Sequence, residues 1–328
     1  MSTKKNFQGV KMFEYRNLKP NELEAWYDFV SEQFTTTPRQ YFANHFQNDP
    51  SSTLDGIFVA LENNQILSTL RVFGREIYLS GKKIQTGGIG EVCTRTDARG
   101  QNLSSSLLDC AIEYMNSNNL TISTLRTGIF DFYRRKGWET TDLAMNISDV
   151  NFSNCEFPAN KYKIRPVNWE NDIPKLIEIH SKVASKLDGV FVRQNPEYWK
   201  QWTKTEAGGF PILVLNMSDE PVAYLFAKID GASELKVLEF CALPTKEFLF
   251  DFAVKELLDE IQFPAATIRL FTWIPTRLAI KETYIEKCNM VRLNKPFEIN
   301  GSMISNSNQL SALINSNSGF HFFNTDDY

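Results

Sequence analysis

The feature that most restricts how this chain can fold is that it repeats itself. "MFEYRNLKPNELEAWYDFVSEQF" (12–34) and "KYKIRPVNWENDIPKLIEIHSKV" (161–183) share one pattern, a short alternating strand followed by an amphipathic helix. In the first copy Leu23, Trp26, Tyr27, Val30 and Phe34 recur at spacings of three and four, which gathers them on one helical face. The paired strand signals around "ENNQ" return in "FPILVLNMSDEPVAYLFAKID". "IGEVCTRTDARGQNLSSSLLDCAIEYM" (89–115) returns as "KVLEFCALPTKEFLFDFAVKELLDEI" (236–261), with "EFC" over "EVC". The same alignment lays "KETYIEKCNM" over "FDFYRRKGWE" and sets Tyr284 on Tyr133.

Each copy mixes hairpins with helices. "GIFVALENNQILSTLRVFGREIYLSGKKI" reads as a strand meander, with "GGIGEVCT" as a further strand. Leu103, Leu107, Leu108, Ala111, Ile112 and Met115 form the apolar stripe of a helix over 103–116, and "FDFYRRKGW" is a short helix stopped by Gly137. The expected fold class is α/β (α+β), each copy a mixed, mostly antiparallel sheet flanked by helices. The expected division is a flexible stretch at 1–10, a first unit at 11–150 and a second at 160–300. An Asn/Ser-rich linker and an aromatic tail would fill 301–328.

Composition narrows the function classes. With a net charge of −4 over 328 residues the surface is not basic, which excludes broad nucleic-acid binding. No run of eighteen apolar residues exists to cross a membrane. The five cysteines (Cys93, Cys110, Cys155, Cys241, Cys288) are odd in number and dispersed, so neither a disulfide framework nor a metal site is expected. Reduced thiols place the chain in the cytoplasm. Homo-oligomerisation is left open.

What differs between the copies is one turn. The first has "ARGQNL" and the second "TKEFLF". A helix start exposes unpaired N–H groups and a partial positive charge, and a tight glycine entry can focus them on one anion. Gly100 permits that entry, Arg99 adds a charged fork, and Ser104, Ser105 and Ser106 leave the approach clear while offering hydroxyls. On this segment alone the reading stands level with a plain one, an exposed turn in which Asn102 caps the helix.

The order strand, basic turn, helix, strand and then "FYRRKGW" resembles the GNAT superfamily of acyl-CoA-dependent N-acetyltransferases across residues 12 to 140. The family's phosphate-binding pattern, Arg/Gln-x-x-Gly-x-Gly/Ala, stands here as Arg99-Gly100-Gln101-Asn102-Leu103-Ser104. Asn102 replaces its middle glycine; asparagine accepts left-handed backbone angles better than most residues. The resemblance implies acetyl-CoA as co-substrate, its diphosphate on the N–H groups of Gln101, Asn102, Leu103, Ser104 and Ser105. Backbone groups of Val92, Cys93 and Thr94 would hold the pantetheine and polarise the thioester. Tyr133 would then serve as general acid to the departing thiolate.

The tandem arrangement is similar to the "enhanced intracellular survival" (Eis-like) aminoglycoside acetyltransferases, in which a degenerate second GNAT-like unit follows the active one. Those proteins usually carry a third, sterol-carrier-like domain, for which this chain has too few residues left. Their terminal carboxylate reaches the active site, so Tyr328 is a candidate base. Glu91 is another, acting directly or through water, although Glu239 at the matching place argues equally for a structural role. Trp26 and Tyr41 are candidate acceptor contacts. Cys93 is not a nucleophile, because no histidine lies at an interpretable spacing. The implied reaction is direct acetyl transfer to a primary amine, a small molecule being favoured. A protein lysine or N-terminal acetyltransferase and a non-catalytic CoA-binding protein are the alternatives.

Overall fold

The computed structural model describes residues 12–157, 161–317, 319–321 and 323–326. The stretch 1–10 and Tyr328 lie outside these described residues. The first copy runs β1 (Glu14–Asn17), α1 (Leu23–Gln33), α2 (Arg39–Gln47), β2 (Ile57–Glu62), β3 (Gln65–Leu79), β4 (Lys82–Thr94), α3 (Leu103–Ser117), β5 (Ile122–Arg126), α4 (Phe130–Arg134) and β6 (Glu139–Asp149). "GKKI" and "GGIGEVCT" are thus one continuous strand. The second copy runs β7 (Tyr162–Pro166), α5 (Ile173–Ala184), then α6 (Pro196–Tyr198) and α7 (Lys204–Glu206) joined through a π turn. It continues β8 (Phe210–Asn216), β9 (Pro221–Asp230), β10 (Glu234–Ala242), α8 (Leu249–Ile261), β11 (Thr267–Phe271) and β12 (Ile280–Leu293). A hairpin, β13 (Phe297–Ile299) with β14 (Ser302–Ile304), and α9 (Ser307–Ser316) follow.

The repeat is plain in this order, but one pairing from the sequence is corrected. Tyr284 does not lie on a counterpart of α4; it sits in β12 opposite Met145 of β6. Apolar periodicity continued through "KETYIEKCNM" as two-residue alternation, not as a helix.

The strands form one twelve-stranded sheet in the order β1-β2-β3-β4-β5-β12-β6-β11-β10-β9-β8-β7, which reads the same from either end when the copies are exchanged. Each copy hands its last strand to the centre. β12 pairs with β5 of the first copy, β6 pairs with β11 of the second, and β6 and β12 pair with each other. Two separate sheets were expected; the exchange fuses them, so the copies cannot part without breaking ladder hydrogen bonds. Only β4–β5 and β10–β11 are parallel.

Helices cover both faces. α3 buries Leu103, Leu107, Leu108, Ala111 and Met115 against the first half of the sheet. Trp26, Tyr27 and Val30 of α1, with Phe42 of α2, cover the opposite face. The chain end straps the seam. Phe320 N donates to Asp142 O at 2.9 Å, and the Phe320 and Phe323 rings are 2% and 0% exposed. Burying two such rings contributes about 3–6 kcal/mol.

Candidate active site

The site starts as a gap in the sheet. β4 and β5 pair only over Thr86–Ile89 and Ile122–Leu125; β5 is paired on its other edge with β12 throughout, and β4 continues to Thr94 paired with β3 alone. A bulge in β4 widens the split. Arg71 faces Gly90 and Thr69 faces Cys93, so two residues of β4, Glu91 and Val92, oppose Leu70 alone. Glu91 has φ +54°, a left-handed angle that a non-glycine residue adopts only when its surroundings enforce it. Beyond the bulge Val92, Cys93 and Thr94 present their β5-facing edge to the gap.

The turn closes the other side. Gly100 has φ +79° and Asn102 φ +62°, ψ +17°, so the glycine of the sequence pattern and its asparagine replacement both adopt left-handed backbone. No side chain caps α3, and its first intrahelical bond is Ser106 N to Asn102 O. The plain reading, Asn102 as an N-cap, therefore fails. The amides of Leu103, Ser104 and Ser105 lie in the orphaned first turn. A groove of about 580 Å³ opens before them, lined by Val92, Cys93, Thr94, Arg99, Gly100, Asn102, Leu103, Ser104, Ser105, Tyr133 and flanking apolar side chains.

Two expectations in the turn change. Gln101 is not among the groove-lining residues. Ser104 does not offer its hydroxyl to the groove: it bonds Thr94 Oγ1 at 2.5 Å and Ser68 Oγ at 3.2 Å, pinning the helix start to β4 and β3. The neighbouring cations are mostly engaged elsewhere. Arg95 pairs with Asp97, Arg134 with Asp131 and Lys136 with Asp109.

Tyr133 enters the groove from α4. Its ring is wedged edge-on against Phe132 (5.0 Å) and Trp138 (6.1 Å), and burial pushes the phenol up to about 12. The hydroxyl is therefore protonated throughout the neutral range. Burial also raises the Cys93 thiol, and the negative charge of Glu91 adds to that, which fits its exclusion as a nucleophile.

The acceptor-side candidates separate. Trp26 is wholly buried and donates Nε1 to Thr69 Oγ1 at 2.8 Å, so it is core and not a substrate contact. Tyr41 is 39% exposed, its ring 3.8 Å from that of His45, away from the groove. Glu91 does not line the groove. Its carboxylate is buried on the α1–α2 side of β4, with Arg71 Nη1 3.6 Å away, and neither oxygen has a hydrogen-bond partner among the described residues. Burial raises its carboxyl and Arg71 partly offsets that.

The second copy distinguishes the two glutamates that the sequence could not. Glu239 receives Arg193 Nη1 on both oxygens (3.1 and 2.9 Å) together with the hydroxyls of Tyr224 and Thr325. Arg193 also pairs with Asp326 at 2.8 Å. Glu239 is a saturated structural knot closed by the chain's own tail, whereas Glu91 is unsaturated. At the start of α8, Leu249 and Phe250 are fully buried, with Phe250 edge-on to Phe240 at 5.2 Å, so bulk replaces the first copy's open turn.

Sequence reasoning missed Arg71, Asp49 and the contact across copies in which His45 meets Glu206 (3.4 Å) and Trp202. The one available signal was Arg71, Phe73 and Arg75 alternating on one face of an otherwise apolar strand. Among the described residues no group of three or more His, Cys, Asp or Glu side chains could hold a metal, and no helix is long and apolar enough to cross a membrane.

The fused pair of α/β units has one open helix-start groove and one that is filled in. Residues 14–141 match the family model of an acetyltransferase (GNAT) domain. Among solved structures, a probable N-acyltransferase from Enterococcus faecalis V583 is 16% identical at a TM-score of 0.70, over 87% of this chain and 73% of that one. Eis1 from Mycobacterium abscessus is 13% identical at a TM-score of 0.59, over 86% and 74%. A tandem GNAT protein from the clavulanic acid biosynthesis pathway is 12% identical at 0.54, over 88% and 100%. At these identities the likeness is one of fold. No curated protein sequence gives a match.

Proposed function

We propose that the first half transfers an acetyl group from acetyl-CoA directly to a primary amine, a small molecule being the favoured acceptor, and that the second half is a degenerate scaffold. The observation that carries this is the uncapped start of α3 beside the β4–β5 gap: left-handed Gly100 and Asn102 direct the amides of Leu103 to Ser105 at one point, as a diphosphate requires. The five free cysteines suit a reducing cytoplasm.

In this reading α3 holds the diphosphate and the free edge of β4 at Val92 to Thr94 holds the pantetheine, a backbone N–H polarising the thioester carbonyl. Glu91, whose carboxylate does not line the groove, takes through water the proton released as the amine nitrogen bonds to the carbonyl carbon. Tyr133 donates to the sulfur as the carbon–sulfur bond breaks. A phenol near 12 is a weak acid beside a thiol near ~8.5, so complete transfer is uphill by roughly 3.5 units, or ~5 kcal/mol. Tyr133 therefore acts chiefly as a hydrogen-bond donor to the developing thiolate.

The test is release of free thiol from acetyl-CoA across a panel of amines, with CoA binding followed separately by calorimetry. CoA binding with amine-dependent thiol release supports an enzyme. CoA binding without thiol release for any amine reduces the protein to a CoA binder, and absence of CoA binding removes the proposal.

A further inference from the structure

Beneath α1 and α2 lies a buried charged row that the acetyl-transfer scheme leaves without a task. Asp49, with a side chain 0% exposed, takes Arg71 Nη2 at 3.1 Å and Arg75 Nη2 at 3.0 Å on the same oxygen. Ser52 accepts from Arg71 Nη2 at 2.5 Å. The Arg71 guanidinium carbon lies over the ring of Phe73 (4.0 Å) and that of Phe46 (5.2 Å). One nitrogen, Nη1, is left over. It has no hydrogen-bond partner among the described residues, and it stands 3.6 Å from Glu91 Oε1.

A purely structural ion pair closes to hydrogen-bond distance when nothing holds it apart. The molecule contains that case in its other half, where Glu239 and Arg193 meet at 2.9 Å. Glu91 and Arg71 differ: the cation is clamped by Asp49, Ser52 and two rings, and the carboxylate keeps both oxygens unspent on a strained bulge. That arrangement leaves hydrogen-bonding capacity unused on both groups.

We propose that Arg71 is a positioning residue for the acetyl-transfer step, a clamped cation that keeps the Glu91 carboxylate charged while leaving its oxygens free to take a proton relayed by water from the acceptor amine. This rests on the reading of Glu91 as the proton acceptor. The acceptor reacts as the free amine: as its nitrogen bonds to the carbonyl carbon and the carbon–sulfur bond breaks, the nitrogen gives one proton to Glu91 and the CoA thiolate leaves hydrogen-bonded to the Tyr133 hydroxyl. Solvent then takes the proton from Glu91 and protonates the thiolate.

The charged and titratable groups facing Glu91 are Tyr27 from α1, His45 from α2, Asp49 from the turn after it, Arg71 from β3 and Cys93 of its own strand. Burial favours the protonated carboxyl and Arg71 is the largest opposing influence. Loss of Arg71 therefore moves Glu91 further up, and the acidic limb of kcat/KM moves to higher pH.

The experiment records kcat/KM against pH with one amine for the native protein, Arg71→Met, Arg71→Gln, Arg71→Lys, Glu91→Gln and His45→Gln, with CoA affinity and melting temperature measured for each. Arg71→Met is expected to raise the limb by at least about one pH unit, roughly tenfold in rate on the acid side, with CoA affinity kept. Arg71→Lys should bring the limb most of the way back, and Arg71→Gln, which also removes the charge, carries the test if Arg71→Met does not fold. An unmoved limb in the folded neutral variant, beside a Glu91→Gln variant that has lost activity, overturns the role of Arg71 and leaves the base in place. Unchanged activity in Glu91→Gln overturns both. A limb abolished by His45→Gln assigns it to the imidazole and refutes the proposal.

Discussion

Gly100→Glu separates the phosphate cradle from the fold. Gly100 has φ +79°, and a Cβ built on it meets no atom within 4 Å, so the first side-chain carbon enters open space. The stability cost is confined to forcing an L-residue into left-handed backbone, about 1–2 kcal/mol, or a fall in Tm of roughly 1.5–3 °C for 328 residues. Binding should suffer more. The new carboxylate stands at the groove mouth, where the diphosphate would add about two negative charges. At about 6 Å and an effective dielectric between 80 and 20, each repulsion is worth roughly 0.7–3 kcal/mol, so CoA affinity should drop about tenfold or more. Gly100→Ala supplies the control, with the same strain, no charge and CoA affinity within about threefold of native. Calorimetric titration with CoA plus a thermal melt reads both. If Gly100→Glu binds CoA as tightly as Gly100→Ala, the diphosphate does not lie at this turn.

Tyr133→Phe should lower kcat by about 10²–10³-fold, as expected for removing one hydrogen-bond donor to developing charge, with the CoA dissociation constant unchanged; a kcat within threefold of native removes Tyr133 from the step. Arg193→Met should leave Glu239 and Asp326 as buried, uncompensated carboxylates and cost about 3–5 kcal/mol, read as a Tm lower by roughly 4–7 °C, and an unshifted melt would refute the knot. His321 is held by burial at about 4, below its ordinary 6.5, so the unfolded chain binds more protons between these values and stability must fall as pH drops from 6.5 toward 4. The loss should be about 2 kcal/mol at pH 5, and in His321→Gln the pH dependence of Tm should be flatter by that amount. Cys93 should resist a thiol reagent in the native protein at pH 7 and react on unfolding, because its thiol is pushed up by burial.

The parts of this structure written in local pattern were legible in the sequence. The apolar face of α1, the stripe of α3 and the contrast between "ARGQNL" and "TKEFLF" all follow from spacing and turn chemistry, and so pointed to the groove. The strand exchange was not legible, because whether β6 pairs beside β5 or beside β11 depends on contacts more than a hundred residues apart, and both arrangements present the same alternation. That non-locality also produced the misplacement of Tyr284. Glu91 and Glu239 share a position and a neighbouring motif; what separates them is Arg193 and Thr325, delivered by a loop and by the tail. Trp26 looked like a ligand contact because a large aromatic on an amphipathic helix has the same spacing whether it faces a pocket or the core.

Hydrogen–deuterium exchange with and without CoA tests the central claim most directly. Amides in peptides spanning 99–108 should exchange more slowly with CoA bound, while those spanning 243–252, the matching turn of the second copy, should not change. Unaltered exchange at 99–108 under saturating CoA, or protection at 243–252 instead, would contradict it.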